Sequence, residues 1–451
     1  VSSKIKASDF SARELAESLS CLLPPQQDLQ LKLALSGGVD SLALLLALTE
    51  LRPRSQWILG AIHINHGLNP RADDWAEHCY RVCRRLSVPL DVEDVTIVDD
   101  GQGLEAAARK ARYEALAGHI GPRDVLLTAH QQDDQLETVL LHLLRGTGAH
   151  GLAGMAPVRP FSGGLHIRPL LPFGRAALEQ YVTATDLRWI TDDSNSDTRF
   201  NRNYLRHKVL PLLRARWPAA DSVIARSAGH AAAASELLDE IAMQDLKACA
   251  GSRKKNLSLV RCRQLTRPRL QNLLRFWIVA ASVGQASSRH VNEIVNQILY
   301  PASTGQALVS WAGGACYRYR DELSLITNDH GLVQDYEIPW HLEESVKIAP
   351  LGIEMQWLPA TGKGLAASRL RDASVTLRNR RGGEAMRLPG RRHRHKLKKL
   401  FQEEGISPRE RKRLPLVFVD GELAAVGDRW VAEAFTASDR EPGYAVKIRE
   451  F

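Results

Sequence analysis

The chain has 451 residues and a mass of 50.0 kDa, too long for one ordinary hydrophobic core, so two or three domains are expected. Its composition, 44% hydrophobic and 25% charged, is that of a globular protein, and no apolar run approaches the roughly 18 residues a membrane-spanning helix needs. The net charge of +9 is local: the stretch from Arg378 to Arg413 carries 14 Lys and Arg against 4 Asp and Glu, which leaves the rest of the chain near neutral and points to a polyanion contacted by one part of the molecule.

Six cysteines in so long a chain, without a CxxC pair, argue against a disulfide scaffold and a structural zinc site. Cys79 and Cys83 are spaced i,i+4 on one helix face, where packing is the favoured role. The amino end, "VSSKIKASDF", has neither the apolar centre nor the cleavage site of a signal peptide, so a cytoplasmic protein is expected.

In chain order, the strand "LKLAL" leads through "SGGVDS" into a helix. "WILGAIHIN" is followed by a helix from about Arg71, "PLDVEDV" by "GLEAAARKARYEALAGHI", and "DVLLTAH" by "DDQLETVLLHLLRG". Short apolar strands alternating with amphipathic helices predict a doubly wound parallel α/β sheet, placed here in a first domain at 1–217. Ligands of such sheets bind at the carboxyl ends of the strands, so "SGGVDS", "HINHGLNP" and "AHQQDDQ" are the loops of interest. From 218 to 328 the pattern becomes helical, 329–370 reads as a linker region of strands and loops, and 371–451 as a small basic α+β domain. That last domain contains an Asp420-Gly421 hairpin turn and one helix, "HKLKKLFQEEG". In the helix Leu397, Leu400 and Phe401 form an apolar face, leaving Lys396, Lys398 and Lys399 to solvent. With Arg391, Arg392 and Arg394 before it and Arg411, Lys412 and Arg413 after it, nucleic-acid phosphate binding is favoured over a merely solvated face.

The loop Ser36-Gly37-Gly38-Val39-Asp40-Ser41 is no Walker loop, since the chain lacks GxxxxGK[ST]. Its glycines allow close backbone approach, its serines add hydroxyls, and the following helix presents free amides to an anion. Farther on, Asp134 and Glu137 lie i,i+3 at a helix start, so both carboxylates can face one cleft, whereas Asp133 alone reads as a complement to the helix dipole. Arg145, Arg202 and Arg206 are guanidinium candidates for a phosphate or an RNA backbone, with surface ion pairs as the bland alternative. Asp193 and Asn195 fit a turn and helix cap equally well.

"SGGVDS" resembles the loop of the PP-loop ATP pyrophosphatases, which hold the β,γ-phosphates of ATP as leaving group and release AMP and pyrophosphate. The resemblance implies that residues 36–41 and Arg145 contact ATP, that His63 supports an adenine contact, and that Asp40, with Asp134, holds Mg2+. "TAHQQDDQLETVLLHLLRGTGAHGLAGM", "EAAARKARYEAL", "RPLL" and "DDSNSDTRFNRNYLRHKVLP" are together similar to the tRNA(Ile)-lysidine synthetase family, whose long form adds a helical and a basic carboxyl-terminal domain. That likeness implies ATP-dependent activation of the C2 carbonyl of the wobble cytidine in isoleucine tRNA with a CAU anticodon, then displacement of AMP by the ε-amine of free L-lysine. Asp40, Asp134, Glu137, Arg202 and Arg206 would be catalytic, Asp134 and Glu137 would bind lysine, and the basic block would bind tRNA. The family's HHxDD pattern reads His130-Gln131-Gln132-Asp133-Asp134 here, which shifts any base role from position 131 to Asp134 or His130. No membrane partner is expected, and a homodimer is compatible with the sequence. The competing readings are a PP-loop tRNA thiolase, for which the cysteine spacing is wrong, and a non-catalytic RNA-binding protein with a degenerate ATPase core.

Overall fold

The computed structural model describes residues 10–25, 28–97, 103–252, 255–284, 286–299, 308–327, 335–342, 345–406 and 408–450. They divide into two compact units, 1–237 and 238–451, with the division inside the long helix Ala220–Ala248.

In the first unit α1 (Ala12–Leu22) precedes β1 (Gln30–Ala34), α2 (Val39–Leu51), β2 (Ile58–Asn65), α3 (Ala72–Arg85), β3 (Leu90–Asp94), α4 (Leu104–Gly118), β4 (Asp124–Leu127) and α5 (Gln132–Leu144). A short α6 (Ala149–Leu152), the hairpin of β5 (Val158–Phe161) and β6 (Gly164–Ile167), and α7 (Arg175–Thr183) complete its α/β body. The sheet order is β3-β2-β1-β4-β6-β5, all parallel except β5 against β6. This is the doubly wound sheet the alternation predicts. The strand order reverses between β1 and β4, which pair from Gln30 opposite Asp124 to Leu33 opposite Leu127. The crevice beyond their carboxyl ends is the topological switch point at which such sheets take ligands.

α2 is apolar all round because it is enclosed: Leu42, Leu44, Leu45 and Leu48 are fully buried, between the sheet and the helices α1 and α7. Cys79 and Cys83 on α3 join the same core, and burial pushes their thiols up to about 12 and about 11, as packing residues require.

The second unit carries more strand than the sequence pattern announces. Residues 218–328 are not helices alone: Leu257–Ser258, Leu308–Trp311, Gly314–Tyr319 and Glu322–Thr327 form an antiparallel sheet under Arg267–Ala280. Residues 329–370 are more than a linker, because Ile353–Thr361 pairs along its whole length with Pro442–Glu450. A strand whose partner lies some ninety residues away leaves no local turn signal, and Pro359 near its carboxyl end hides it further. The Asp420-Gly421 turn is as expected, with φ of +47° and +80° joining Leu416–Val419 to Glu422–Val426. Leu397, Leu400 and Phe401 are buried and Lys396, Lys398 and Lys399 exposed. Among the described residues no helix is long and apolar enough to cross a membrane.

Candidate active site

The loop after β1 has the backbone geometry of an anion cradle. Gly37 has φ +78°, and a Cβ there would strike Ile190 Cδ1 and approach Cys79 Sγ to 3.1 Å, so only glycine fits. Ile190 N donates to Gly37 O at 2.9 Å, tying the segment after α7 to the loop. Gly38 is the N-cap of α2 without any capping side chain, so the first amides of that helix remain free for an anion. Ser41 Oγ donates to Gly38 O at 2.9 Å and lies 3.1 Å from Ser36 Oγ, which fixes both hydroxyls at the rim. Val39 is buried in the core and anchors the turn.

Asp40, in the first turn of α2, is the unsatisfied group of the site. Its Oδ1 is buried without a hydrogen-bond partner, and burial pushes its carboxyl up to about 7. Arg175 and Arg206 pull it down, while the charges of Asp134 and Glu179 push it up. A buried carboxylate oxygen that no protein group satisfies, beside a phosphate cradle, fits a hard divalent cation completed by phosphate oxygens and water.

At the carboxyl end of β4, α5 opens with a capping box: Gln131 Oε1 accepts from Asp133 N at 2.6 Å and Asp134 Oδ2 from Gln131 N at 3.2 Å. Gln131 thus has a structural use that the histidine comparison does not reveal. Its replacement by Ala is expected to cost about 1 kcal/mol of stability, read by urea unfolding, and to lower turnover far less than Asp134→Asn.

Glu137 is fully buried and held by two guanidiniums. Arg202 Nε donates to Oε2 at 2.8 Å, and Arg206 donates to Oε1 at 2.6 Å and to Oε2 at 3.1 Å. Arg206 Nη2 also reaches Asp134 Oδ1 at 3.2 Å. Burial raises the Glu137 carboxyl, and Arg206, through its hydrogen bonds and its charge, opposes that rise. Asp133 pairs separately with Arg214, at 3.0 Å. Arg202 lies on the helix Asn201–Tyr204, Arg206 in the π-helical turn Leu205–Val209 that follows, in which Leu210 N donates to Leu205 O, and Arg214 on the helix Leu210–Arg216. Pro211 has no N–H with which to resume the ordinary pattern at His207.

The loops surround a cavity of about 380 Å3 lined by Ser36, Gly38, Asp40, His63, Arg112 and His130, among others. His63 is buried with Nδ1 2.8 Å from Leu35 O, and burial lowers its basicity, so it stands as a neutral ring in the wall. Asn195 lines the cavity too, and Asp193 instead binds Arg71 at 2.7 Å. Arg112 and Tyr113 line the cavity without having been singled out in the sequence, as does Thr128. Arg175, beside Asp40, was likewise missed. Arg112 and Tyr113 lie within "EAAARKARYEAL" on α4, a stretch whose spacing alone gives neither residue a role.

Two expectations change. Arg145 caps the carboxyl end of α5, opposite the end that carries Asp134, and is exposed and outside the cavity lining. Arg411 is buried, donates to Ile406 O at 2.8 Å and lies over the Phe401 ring, so it holds the fold together and is unavailable to tRNA. Arg391 pairs with Glu403 at 2.8 Å, Arg394 donates to Ala385 O at 3.2 Å, and Arg413 to Leu351 O at 3.3 Å. Arg392, Lys396, Lys398, Lys399 and Lys412 are exposed.

Comparison with known proteins matches three families in succession: a PP-loop domain at 11–213, a TilS substrate binding domain at 257–324 and a TilS substrate C-terminal domain at 375–448. The chain is 38% identical to the tRNA(Ile)-lysidine synthase of Coxiella burnetii, over 97% of this chain and 99% of that protein. It is 38% identical to that of Methylococcus capsulatus, over 90% and 93%, and 40% identical to that of Xanthomonas axonopodis pv. citri, over 90% and 91%. A phosphate loop at the β1/β4 switch point and near full-length identity of this degree agree: the chain belongs to the tRNA(Ile)-lysidine synthase family.

Proposed function

We propose that the protein is a carbon–nitrogen ligase that joins free L-lysine to the wobble cytidine of isoleucine tRNA with a CAU anticodon, converting ATP to AMP and pyrophosphate. The observation that carries this reading is the convergence of the glycine cradle and the unpartnered Asp40 on one cavity at the switch point. The loop at 36–41 holds the β,γ-phosphates, leaving the α-phosphorus as electrophile for the cytidine O2. As the new P–O bond forms, the bond to the β-phosphate oxygen breaks and pyrophosphate leaves. Asp40 is the residue that would hold Mg2+, which would supply neutralisation of charge on that leaving group. The lysine ε-amine, once deprotonated, then attacks C2, and AMP departs with the activated oxygen.

Asp134 and Glu137 remain the candidates for holding the lysine ammonium and taking its proton, with Arg202 and Arg206 as their partners. Glu137 accepts from both guanidiniums, so lysine reaches it only when one of them yields an oxygen. A metal contact at Asp134 likewise competes with Arg206. The thiolase alternative lacks support: Cys79, Cys83, Cys249, Cys262 and Cys316 are buried with their thiols pushed up, and no cysteine lines the cavity. Mass spectrometry of the wobble nucleoside after incubation with tRNA, lysine and ATP tests the reading. Lysidine with AMP is expected, and stoichiometric ADP and phosphate would overturn it.

The exposed lysines of the basic block supply a second expectation. Replacing Lys396, Lys398 and Lys399 by Ala should raise the KM for tRNA, flatten the dependence of tRNA binding on salt, and leave the KM for ATP and lysine unchanged, since each lost phosphate contact releases fewer counterions. The buried face of Leu397, Leu400 and Phe401 is untouched, so the fold survives. Binding measured across a salt series decides it: equal slopes would return these lysines to simple solvation.

A further inference from the structure

Behind the cavity wall a chain of hydrogen bonds determines which proton His130 carries. Arg159 Nε and Arg168 Nη2 lie 3.1 and 3.3 Å from His166 Nδ1. A guanidinium has donors only, so His166 Nδ1 must be a lone pair and the ring proton sits on Nε2. That Nε2 is 2.8 Å from Thr128 Oγ1 and donates to it. Thr128 Oγ1 is in turn 2.7 Å from His130 Nδ1, which is the acceptor left for the hydroxyl proton. His130 therefore carries its own proton on Nε2, its remaining polar atom, and the residue lines the cavity.

The chain is anchored at its far end. His166 and Arg168 are buried, and Arg168 Nη1 donates to Ala156 O at 2.6 Å. Neither histidine is a candidate for protonation: burial, reinforced by Arg168 and Arg109, holds His130 well below the usual imidazole range, and similar causes bring His166 down to about 3.

We propose that Thr128 and His166 are positioning residues that hold His130 as the neutral Nε2–H tautomer, so that it serves the cavity as a hydrogen-bond donor to a phosphoryl oxygen of the nucleotide and not as a base. The choice of a nucleotide acceptor rests on the function proposed above; the tautomer does not. A fixed donor aimed at a phosphoryl oxygen strengthens as charge develops there during transfer, at no cost of reorganisation. The base role then falls to the carboxylates. Thr128 and His166 are separated by 38 residues and join two adjacent parallel strands through their side chains, which is why no local motif reveals the pair.

The tautomer can be read without substrate. In protein labelled with 15N-histidine, long-range 15N–1H correlation at pH 7, with His130 assigned by its loss in His130→Gln, should show Nε2 protonated and Nδ1 bare. His166→Gln keeps an acceptor for the arginines and a donor for Thr128, so it should preserve that pattern, whereas His166→Leu and Thr128→Val should lose it and Thr128→Ser should keep it. In turnover, Thr128→Val and His166→Leu should lower kcat on the order of 10-fold with little change in the KM for lysine, and Thr128→Ser and His166→Gln should recover most of it. An imidazolium or an Nδ1–H tautomer in the wild type overturns the proposal, as does unchanged kcat in folded Thr128→Val. If the protein makes no lysidine yet shows the expected tautomer, the functional reading fails while the hydrogen-bond chain stands.

Discussion

Asp40→Asn should abolish nearly all turnover, by on the order of 10²- to 10³-fold, while leaving the metal-free protein at least as stable as wild type at pH 8. The two halves have one cause. Asp40 is half-buried, its buried Oδ1 lacks a protein partner, and its carboxyl is pushed up to about 7. A carboxyl with a raised folded-state value stabilises the fold fully below about pH 4 and loses that contribution as pH rises through about 7. Above that range its charge is a burden worth at most roughly 4 kcal/mol, which Asn removes. Adding Mg2+ should raise the melting temperature of the wild type and not of the variant. Thermal unfolding with and without Mg2+ at pH 5 and pH 8, beside turnover, checks every part. A variant that melts well below wild type in the absence of metal would show that Asp40 is structural.

Glu137→Ala should be the most damaging single change to the fold of the first unit. Glu137 is fully buried and accepts three N–H groups from Arg202 and Arg206, so its removal leaves two half-buried guanidiniums without their counter-charge. Breaking such a pair from one side costs about 3 to 5 kcal/mol. Glu137→Gln keeps the shape and part of the hydrogen bonding and should cost distinctly less, yet it should still lower turnover because the carboxylate that meets the lysine ammonium is gone. Urea unfolding of both variants separates the two effects. A loss under 1 kcal/mol for Glu137→Ala would mean that the arginines find other partners and that the cluster is looser than its geometry.

Much of this was written in local sequence. The strand-loop-helix of "SGGVDS", the i,i+3 carboxylates and the apolar face at Leu397, Leu400 and Phe401 each draw their meaning from neighbours a few residues away, and each lies where its pattern places it. What escaped notice depends on long-range pairing. Arg112 and Arg175 reach the cavity through the packing of whole elements, Arg411 is withdrawn into the core by Phe401 and Ile406, and Ile353–Thr361 finds its strand partner at the end of the chain. Arg145 is the converse case, a motif residue placed at the far end of α5 from Asp134.

The π turn at Leu205–Val209 acts as a phase shifter. In an uninterrupted α-helix Arg202 and Arg206 would share a face, but Arg214 would stand roughly 120° around the axis from Arg202. One extra residue in the turn brings Arg214 back to within roughly 20°, so three guanidiniums from one stretch of chain meet Asp133, Asp134 and Glu137 along one side of α5. Straightening the segment would make a more regular helix and a misaligned one. Deleting His207 or Lys208 would separate Arg214 from Asp133 while sparing Arg202 and Arg206 at Glu137, so the irregularity is a counting device that sets which acid each arginine meets.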